Sequence, residues 1–282
     1  MRKFALVILD LEDKVIDRYN LDLVTAPSGL GFKLNMSTLS GDIEDVITKV
    51  SQAKNVIKFT VNQYQNSYSK ANSLSLWIQK YSKPEYTMAL EYNDGNIVRY
   101  CEGRVTGLGK TELDMTKILP QEFEFTQTTP FFVKRENTIV IKVASVGKSY
   151  PFKYPYSYGR NEVTNNEINN QYIYDAPLVI TINGAITSPR IQLLNENNNV
   201  YNEVGFTGQT LIDNESIVIN SAQKKIYKKG INGSQTDYRP EVDPQWDTFL
   251  NARYGKSTIN IADTSTASNK FSIIGSWREY RL

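Results

Sequence analysis

The chain has 282 residues, with 32 lysines and arginines against 30 acids, no histidine and a single cysteine. The length exceeds the usual single-domain size, so two domains are expected if a boundary shows itself. A near-neutral balance, with no basic cluster beyond the doublets Lys224-Lys225 and Lys228-Lys229, argues against nucleic acid as a partner, because neutralising phosphates requires a concentrated basic face. The missing histidines remove the commonest general base and the commonest zinc ligand. A lone Cys101 excludes an internal disulfide and reads as a small buried residue of a protein made in a reducing compartment.

The opening "MRKFALVILDLEDKVI" has an apolar run, Phe4 to Leu9, that stops at Asp10. It is too short for a secretory leader and no small-residue cleavage site follows, so it predicts a first strand over residues 3–9. No uncharged apolar stretch approaches the roughly 20 residues that cross a bilayer, so no membrane contact is expected. Residues 14–24 predict a further strand, and "TAPSGLGF" (25–32) a turn. In "NVIKFTVNQY", Ile57, Phe59, Val61 and Gln63 alternate with polar partners, the period of a half-buried strand. Leu74, Trp77, Ile78 and Tyr81 then fall at i, i+3, i+4 and i+7, which predicts a helix capped by Asn72 or Ser73 and closed by Pro84. Such a stripe is a core face rather than a ligand site.

"YTMALEYNDGNIVRYCEGRV" predicts a hairpin: strand 86–92, a turn around Asp94-Gly95, and strand 97–105. Phe123 and Phe125, then Ile139, Ile141 and Val143, alternate as in two more strands. Residues 1–147 thus read as a mainly β, mostly antiparallel domain with one helix. Open antiparallel sheets extend by edge pairing between copies. The hairpin, with Tyr86, Met88, Leu90, Tyr92, Val98, Tyr100 and Arg104, is the candidate arm for such a contact; the alternative is that it packs only on its own core.

"KSYPFKYPYSYGR" (148–160) is dense in tyrosine and proline. Proline fixes φ and biases the preceding residue toward extended geometry. The stretch is therefore expected to run as a stiff interdomain connector, with Tyr150, Phe152, Tyr154, Tyr156 and Tyr158 in a half-wet seam. The asparagine-rich residues 161–170 read as a loop. Beyond them "PLVITINGAITSPRIQLLN" predicts a strand with Leu178, Ile180 and Ile182 on one face, a turn at Asn183-Gly184, and a strand with Ile191 and Leu193 inward. Short strands continue to the end, which points to a second β-sandwich over 161–282.

Catalytic equipment is hard to find. Asp213, Glu215, Glu241, Asp243, Asp247 and Glu279 leave a carboxylate glycosidase as a reading, with nothing in the sequence to place two of them across a cleft. "GLGKTEL" (107–113) ends like a phosphate loop, but Arg104 stands where the first glycine must be. Trp246 and Trp277 could stack on a sugar, which leaves a carbohydrate-binding module as the alternative to a structural protein. No catalytic, cofactor-binding or metal-binding residue is assigned.

The order of "FEFTQTTPFFVK", "YPFKYPYSYG", "APLVITINGAITSPRIQLLN" and "GQTLIDNESIVIN" resembles the distal tail protein (Dit) family of long-tailed phages and phage-tail-like bacteriocins. Gly184, Ser188-Pro189 and Asp213 stand at the family's turns. The resemblance implies an N-terminal domain that forms a homohexameric ring and a C-terminal galectin-like β-sandwich outside it. It further implies a structural hub at the virion tail tip, made in the bacterial host cytoplasm. The hub would join the tail tube protein to the tip protein, with receptor-binding proteins or host wall polysaccharide as further partners. Galectin sugar sites use a histidine, so none is carried over. The longest candidate docking arm, residues 230–249, is short for gripping receptor-binding proteins.

Overall fold

The computed structural model describes residues 2–31, 34–40, 45–52, 55–109, 112–113, 117–144, 161–172, 174–247, 249–262 and 270–280. The chain forms two compact units, Met1–Val133 with Tyr280–Leu282, and Lys134–Glu279. The tyrosines and phenylalanine expected in a seam at 150–158 lie outside the described residues.

In the first unit the strands are β1 (Lys3–Leu9), β2 (Val15–Leu21), β3 (Leu23–Ser28), β4 (Leu34–Ser40), β5 (Asp45–Gln52) and β6 (Val56–Gln63), followed by helix α1 (Ser67–Lys80). Strands β7 (Thr87–Asn93), β8 (Val98–Leu108) and β9 (Leu119–Gln127) follow, and β10 (Phe132–Ala144) leads into the second unit. One sheet runs β2-β1-β7-β8 and the other β3-β6-β9-β8, all antiparallel. Their facing sides share a core of Phe4, Leu6 and Ile8, Met88 and Leu90, Cys101, Ile57, Phe59 and Val61, and Phe123 and Phe125. The alternation of residues 56–63 and 121–127 therefore appears as an alternation of burial. The β1 run "FALVIL" does not alternate because both its faces are covered. Ala5, Val7 and Leu9 form a second cluster with Ala89 and Phe132, with Tyr100 and Tyr280 packed on it.

Strand β8 belongs to both sheets: Val98–Glu102 pair with β7, and Gly103–Leu108 with β9, apart from a bulge near Thr106. Gly103 stands at the changeover. A Cβ there would lie 2.2 Å from the Thr126 carbonyl oxygen and 2.5 Å from the Phe125 ring. Only glycine lets the backbones come this close. Helix α1 starts five to six residues earlier than the Asn72 or Ser73 cap predicted. Its N-cap is Asn66, in a left-handed conformation without a side-chain cap bond. Leu74 and Tyr81 are buried and Trp77 and Ile78 pack beside them, so the stripe is a core face. The strand expected over 14–24 is two strands that break at Asp22 and join different sheets.

The second unit contains β11 (Asn161–Asn165), β12 (Glu167–Asn170), β13 (Ala176–Thr187), β14 (Arg190–Leu194), β15 (Val200–Gly205), β16 (Thr210–Leu211) and β17 (Ser216–Asn220). Then come β18 (Lys225–Lys229), β19 (Gln235–Asp237), a 3-10 turn at Arg239–Glu241, β20 (Asn251–Ala252), β21 (Gly255–Ala262) and β22 (Lys270–Tyr280). A sheet β19-β18-β17-β13-β22 faces a sheet β12-β21-β14-β15 across one core, in which Leu178, Ile180, Ile182, Ile191, Leu193, Ile217, Ile259 and Ile273 are buried.

Two expectations fail here. Asn161 to Asn170 is not a loop: β11 pairs with β10 and β12 with β21. Asn170 is fully buried and its amide donates to the carbonyls of Tyr174 and Ala252 at 2.8 and 3.1 Å. A ladder partner overrides asparagine's weak strand preference. Nor does the chain turn at Asn183-Gly184, where β13 pairs onward with β22 through Ala185. The reversal comes at Ser188-Pro189, where Ser188 has φ 49°.

Candidate assembly surface

Both ladder edges of the predicted arm are paired within the chain. Strand β7 has β1 on one side and β8 on the other, and β8 is paired in turn with β9 and, at Tyr100, with Phe132 of β10. Met88 and Leu90 lie in the core. Tyr86 packs edge-on against Tyr81, Tyr92 against Phe4 and Tyr100 against Phe132. Arg104 ties the hairpin base by donating to the carbonyls of Tyr86 and Gly103, and Val98 is half-buried beside Asn93. These side chains hold the sandwich together, and the edges they were expected to offer are already occupied.

Unused pairing capacity lies elsewhere. The hairpin β4–β5 pairs through its whole length, from Leu34 with Gln52 to Ser40 with Asp45, and among the described residues it pairs with nothing else. Residues 34–52 carry little strand signal, because their apolar residues are scattered without a clean period of two. A two-stranded ribbon alone is marginally stable in water. At the sandwich margin, β2 and β3 each pair with one neighbour among the described residues. Strand β3 is blunted by Pro27 and by a register break at Ala26, whose φ is 51°; proline and bulges are how sheet edges avoid further pairing. Strand β2 has no proline and pairs regularly with β1 from Asp17 to Leu21, but its register breaks at Ile16, which is 58% exposed. The inner side of β2 is fixed to α1: Tyr81 donates a 2.5 Å hydrogen bond to Asp17, which holds that carboxyl below its usual pKa, and Tyr19 donates to the Lys70 carbonyl. Among the described residues the first unit therefore combines a self-paired ribbon with an edge, β2, that is backed by α1 and regular from Asp17 to Leu21.

Of the six acids that kept a glycosidase reading open, Asp213 is exposed in a turn and the other five are engaged in structural contacts. Glu215 pairs with Lys228 at 2.8 Å, which lowers its pKa, and it also accepts from the Ile212 amide. Asp243 accepts from the Thr207 amide and hydroxyl, Asp247 from Asn202 and the Glu203 amide, Glu241 from Gln209, and Glu279 from Arg135. Among the described residues no cluster of three metal-ligating side chains occurs. Cys101 is fully buried, and burial pushes its thiol up to about 12. The nominal Gly-Lys-Thr begins at Gly109, whose amide donates to the Glu122 carbonyl at the end of β8.

The two tryptophans proposed as sugar platforms are occupied as well. Trp277 belongs to the second core. Trp246 has the Arg190 guanidinium 4.2 Å above its ring and rests on β15 at Gly205, where an added Cβ would come within 3.1 Å of the indole. Beneath them Glu203, nearly buried, accepts hydrogen bonds from Arg190 and Gln192. This polar clamp fastens the 239–249 segment over the sheet.

Comparison with known proteins fits this picture of structural contacts without catalytic machinery. Residues 5–128 match the family described as distal tail protein, N-terminal domain. No curated protein sequence is significantly similar to the chain. A solved structure of the phage P2 baseplate in its activated conformation with Ca contains a chain that is similar over 98% of both lengths, with a TM-score of 0.67 and 16% identity. The strontium form gives a TM-score of 0.66 with the same identity and coverage. The Dit protein of phage SPP1, described as a paradigm of the hub adsorption apparatus in phages infecting Gram-positive bacteria, is similar over 99% of both chains, with a TM-score of 0.57 and 12% identity. Residues 5–128 thus carry the N-terminal domain of the distal tail protein family, and the chain over its whole length shares the mainly β fold of the baseplate and SPP1 Dit chains.

Proposed function

We propose that six copies of the chain form a ring at the tail tip, as the structural hub that joins the tail tube to the tip protein and carries peripheral adhesion components. The observation that carries this reading is the β4–β5 ribbon that pairs only with itself among the described residues, together with the β2 edge, which is regular from Asp17 to Leu21. A ribbon that is marginal alone gains a third strand by adding to an open edge, and main-chain hydrogen bonds then supply the contact without any reactive group. In a head-to-tail ring each copy offers its ribbon and receives its neighbour's, so all six edges are satisfied when the rotation closes. The description of the SPP1 relative as part of a hub supports the same placement. Residues 148–160 set the angle between ring and outer sandwich in this reading; their prolines reduce the entropy lost on ordering such a connection.

Light scattering with negative-stain microscopy tests the proposal on the full chain and on a variant in which residues 34–52 are replaced by a short Gly-Ser turn. Leu34 and Gln52 are paired neighbours, so the replacement closes without strain. The full chain is expected to give rings with a central hole and the variant monomers, with the unfolding temperature of the isolated subunit changed by only a few degrees. A full chain that stays monomeric at every concentration, and adds no ring to tails assembled in its presence, overturns it.

A further inference from the structure

Tyr254 is the most exposed large apolar side chain among the described residues, at 71%. It stands at the tip of the two-residue turn between β20 and β21, where Gly255 has φ 94°. The turn is fixed on every side. Asn251 pairs with Pro177 and Ala252 with Ala176; the Asn251 amide donates to Asn202 at 2.9 Å, Asn170 donates to the Ala252 carbonyl, and Gly255 pairs with Asn170. An aromatic ring with no contact of its own is thus presented on an immobilised backbone.

Its neighbour Arg253 is held as firmly and is equally unused. The guanidinium lies 4.8 Å over the Tyr201 ring, and the Tyr201 hydroxyl is locked to Ser257 at 2.7 Å. The Arg253 guanidinium donates to no acceptor among the described residues. Across the turn, Glu196 approaches the Lys256 amide at 3.4 Å, and exposed Asn197 and Asn198 follow it in a turn braced by Asn195.

We propose that this end of the second unit is a carbohydrate-binding site, with Tyr254 as the stacking platform. A saccharide offers one C–H-rich face for an aromatic ring and, along its rim, hydroxyls that both donate and accept. The planar guanidinium of the preceding residue, stacked on Tyr201, supplies paired donors, and the Glu196 carboxylate and asparagine amides supply acceptors. The surroundings disfavour other ligand classes. One arginine and one lysine facing a glutamate do not make an anion site, and the polar asparagine turn provides no apolar patch of the size that protein partners bury. Preorganisation lowers the binding cost because no loop has to be ordered. This site stands apart from the ring proposal and is read by a different measurement.

The test is a glycan array of mono- and oligosaccharides probed with the full chain, followed by calorimetric titration of the strongest binder against the chain and its variants. Tyr254→Ala is expected to weaken binding by about tenfold or more and Arg253→Ala by several-fold, whereas Tyr254→Trp retains affinity within about threefold. Unfolding temperatures are expected to be unchanged for the Tyr254 variants, which separates a lost platform from a lost fold. No saccharide binding tighter than about 10 mM overturns the proposal, as does binding that Tyr254→Ala leaves intact, or capture by this surface of a protein rather than a glycan.

Discussion

The two hairpins of the first unit, β4–β5 and β7–β8, are both antiparallel pairs, the first with a register break at Ser37/Thr38 and the second unbroken, and they differ most in what lies outside their own ladder. The second carries the clearer sequence signal, with an Asp-Gly turn and alternating apolar residues, and its strands are paired on both sides and buried. The first carries a poorer signal and, among the described residues, pairs only with itself. Strong alternation marks a strand that a core has already claimed; a weakly patterned ribbon is the one left for a partner.

Substitutions in the β7–β8 hairpin are therefore expected to cost stability and spare any assembly surface. The largest effect is predicted for Leu90→Ala, which empties a fully buried position between the sheets. It should lose about 2–5 kcal/mol in denaturant unfolding, and a loss below about 1 kcal/mol would mean that the strand is not enclosed. Gly103→Ala comes next, because the new methyl meets the Thr126 carbonyl rather than a flexible side chain. A cost of about 1–3 kcal/mol is expected from overpacking, and an unaffected midpoint would place the changeover of β8 elsewhere.

The smallest effect concerns the turn. Arg99 and the amides of Ile97 and Asn96 hydrogen-bond Asp94 and hold its carboxyl well below the usual carboxylate range. A depressed folded-state pKa stabilises above the unfolded value and loses that contribution as pH falls through the folded one. The wild-type unfolding temperature should therefore drop as pH is lowered below about 4, and Asp94→Asn should flatten that part of the profile. Equal slopes would show that the turn does not titrate with folding. The side chain is part-exposed, so solvent screening keeps the effect modest.

Much of this architecture was legible in the residues. The strands around Ile57, Phe59 and Val61, Phe123 and Phe125, and Leu178, Ile180 and Ile182 all bury the expected face. The helical stripe at Leu74 and Tyr81 does the same. The helix start at Asn66 was missed because its cap uses a left-handed backbone in place of a capping side chain. The strands at 161–170 were missed because asparagine enters a sheet only when a waiting partner strand and buried carbonyls satisfy its backbone and amide.

Local periodicity is a property of the chain, set by the two-residue repeat of a strand and the 3.6-residue repeat of a helix, so where the period is clean, as at 56–63, 121–127 and 178–182, the sequence alone determined the strand and the face it buries. It also determined, through absent histidine and a single cysteine, that familiar catalytic constellations are missing. Whether a hairpin edge is occupied, whether a tryptophan is covered by an arginine, and which tyrosine is left bare were decided only by tertiary structure. Those outcomes depend on contacts between residues far apart in the chain, and no repeat within a segment encodes its distant neighbour.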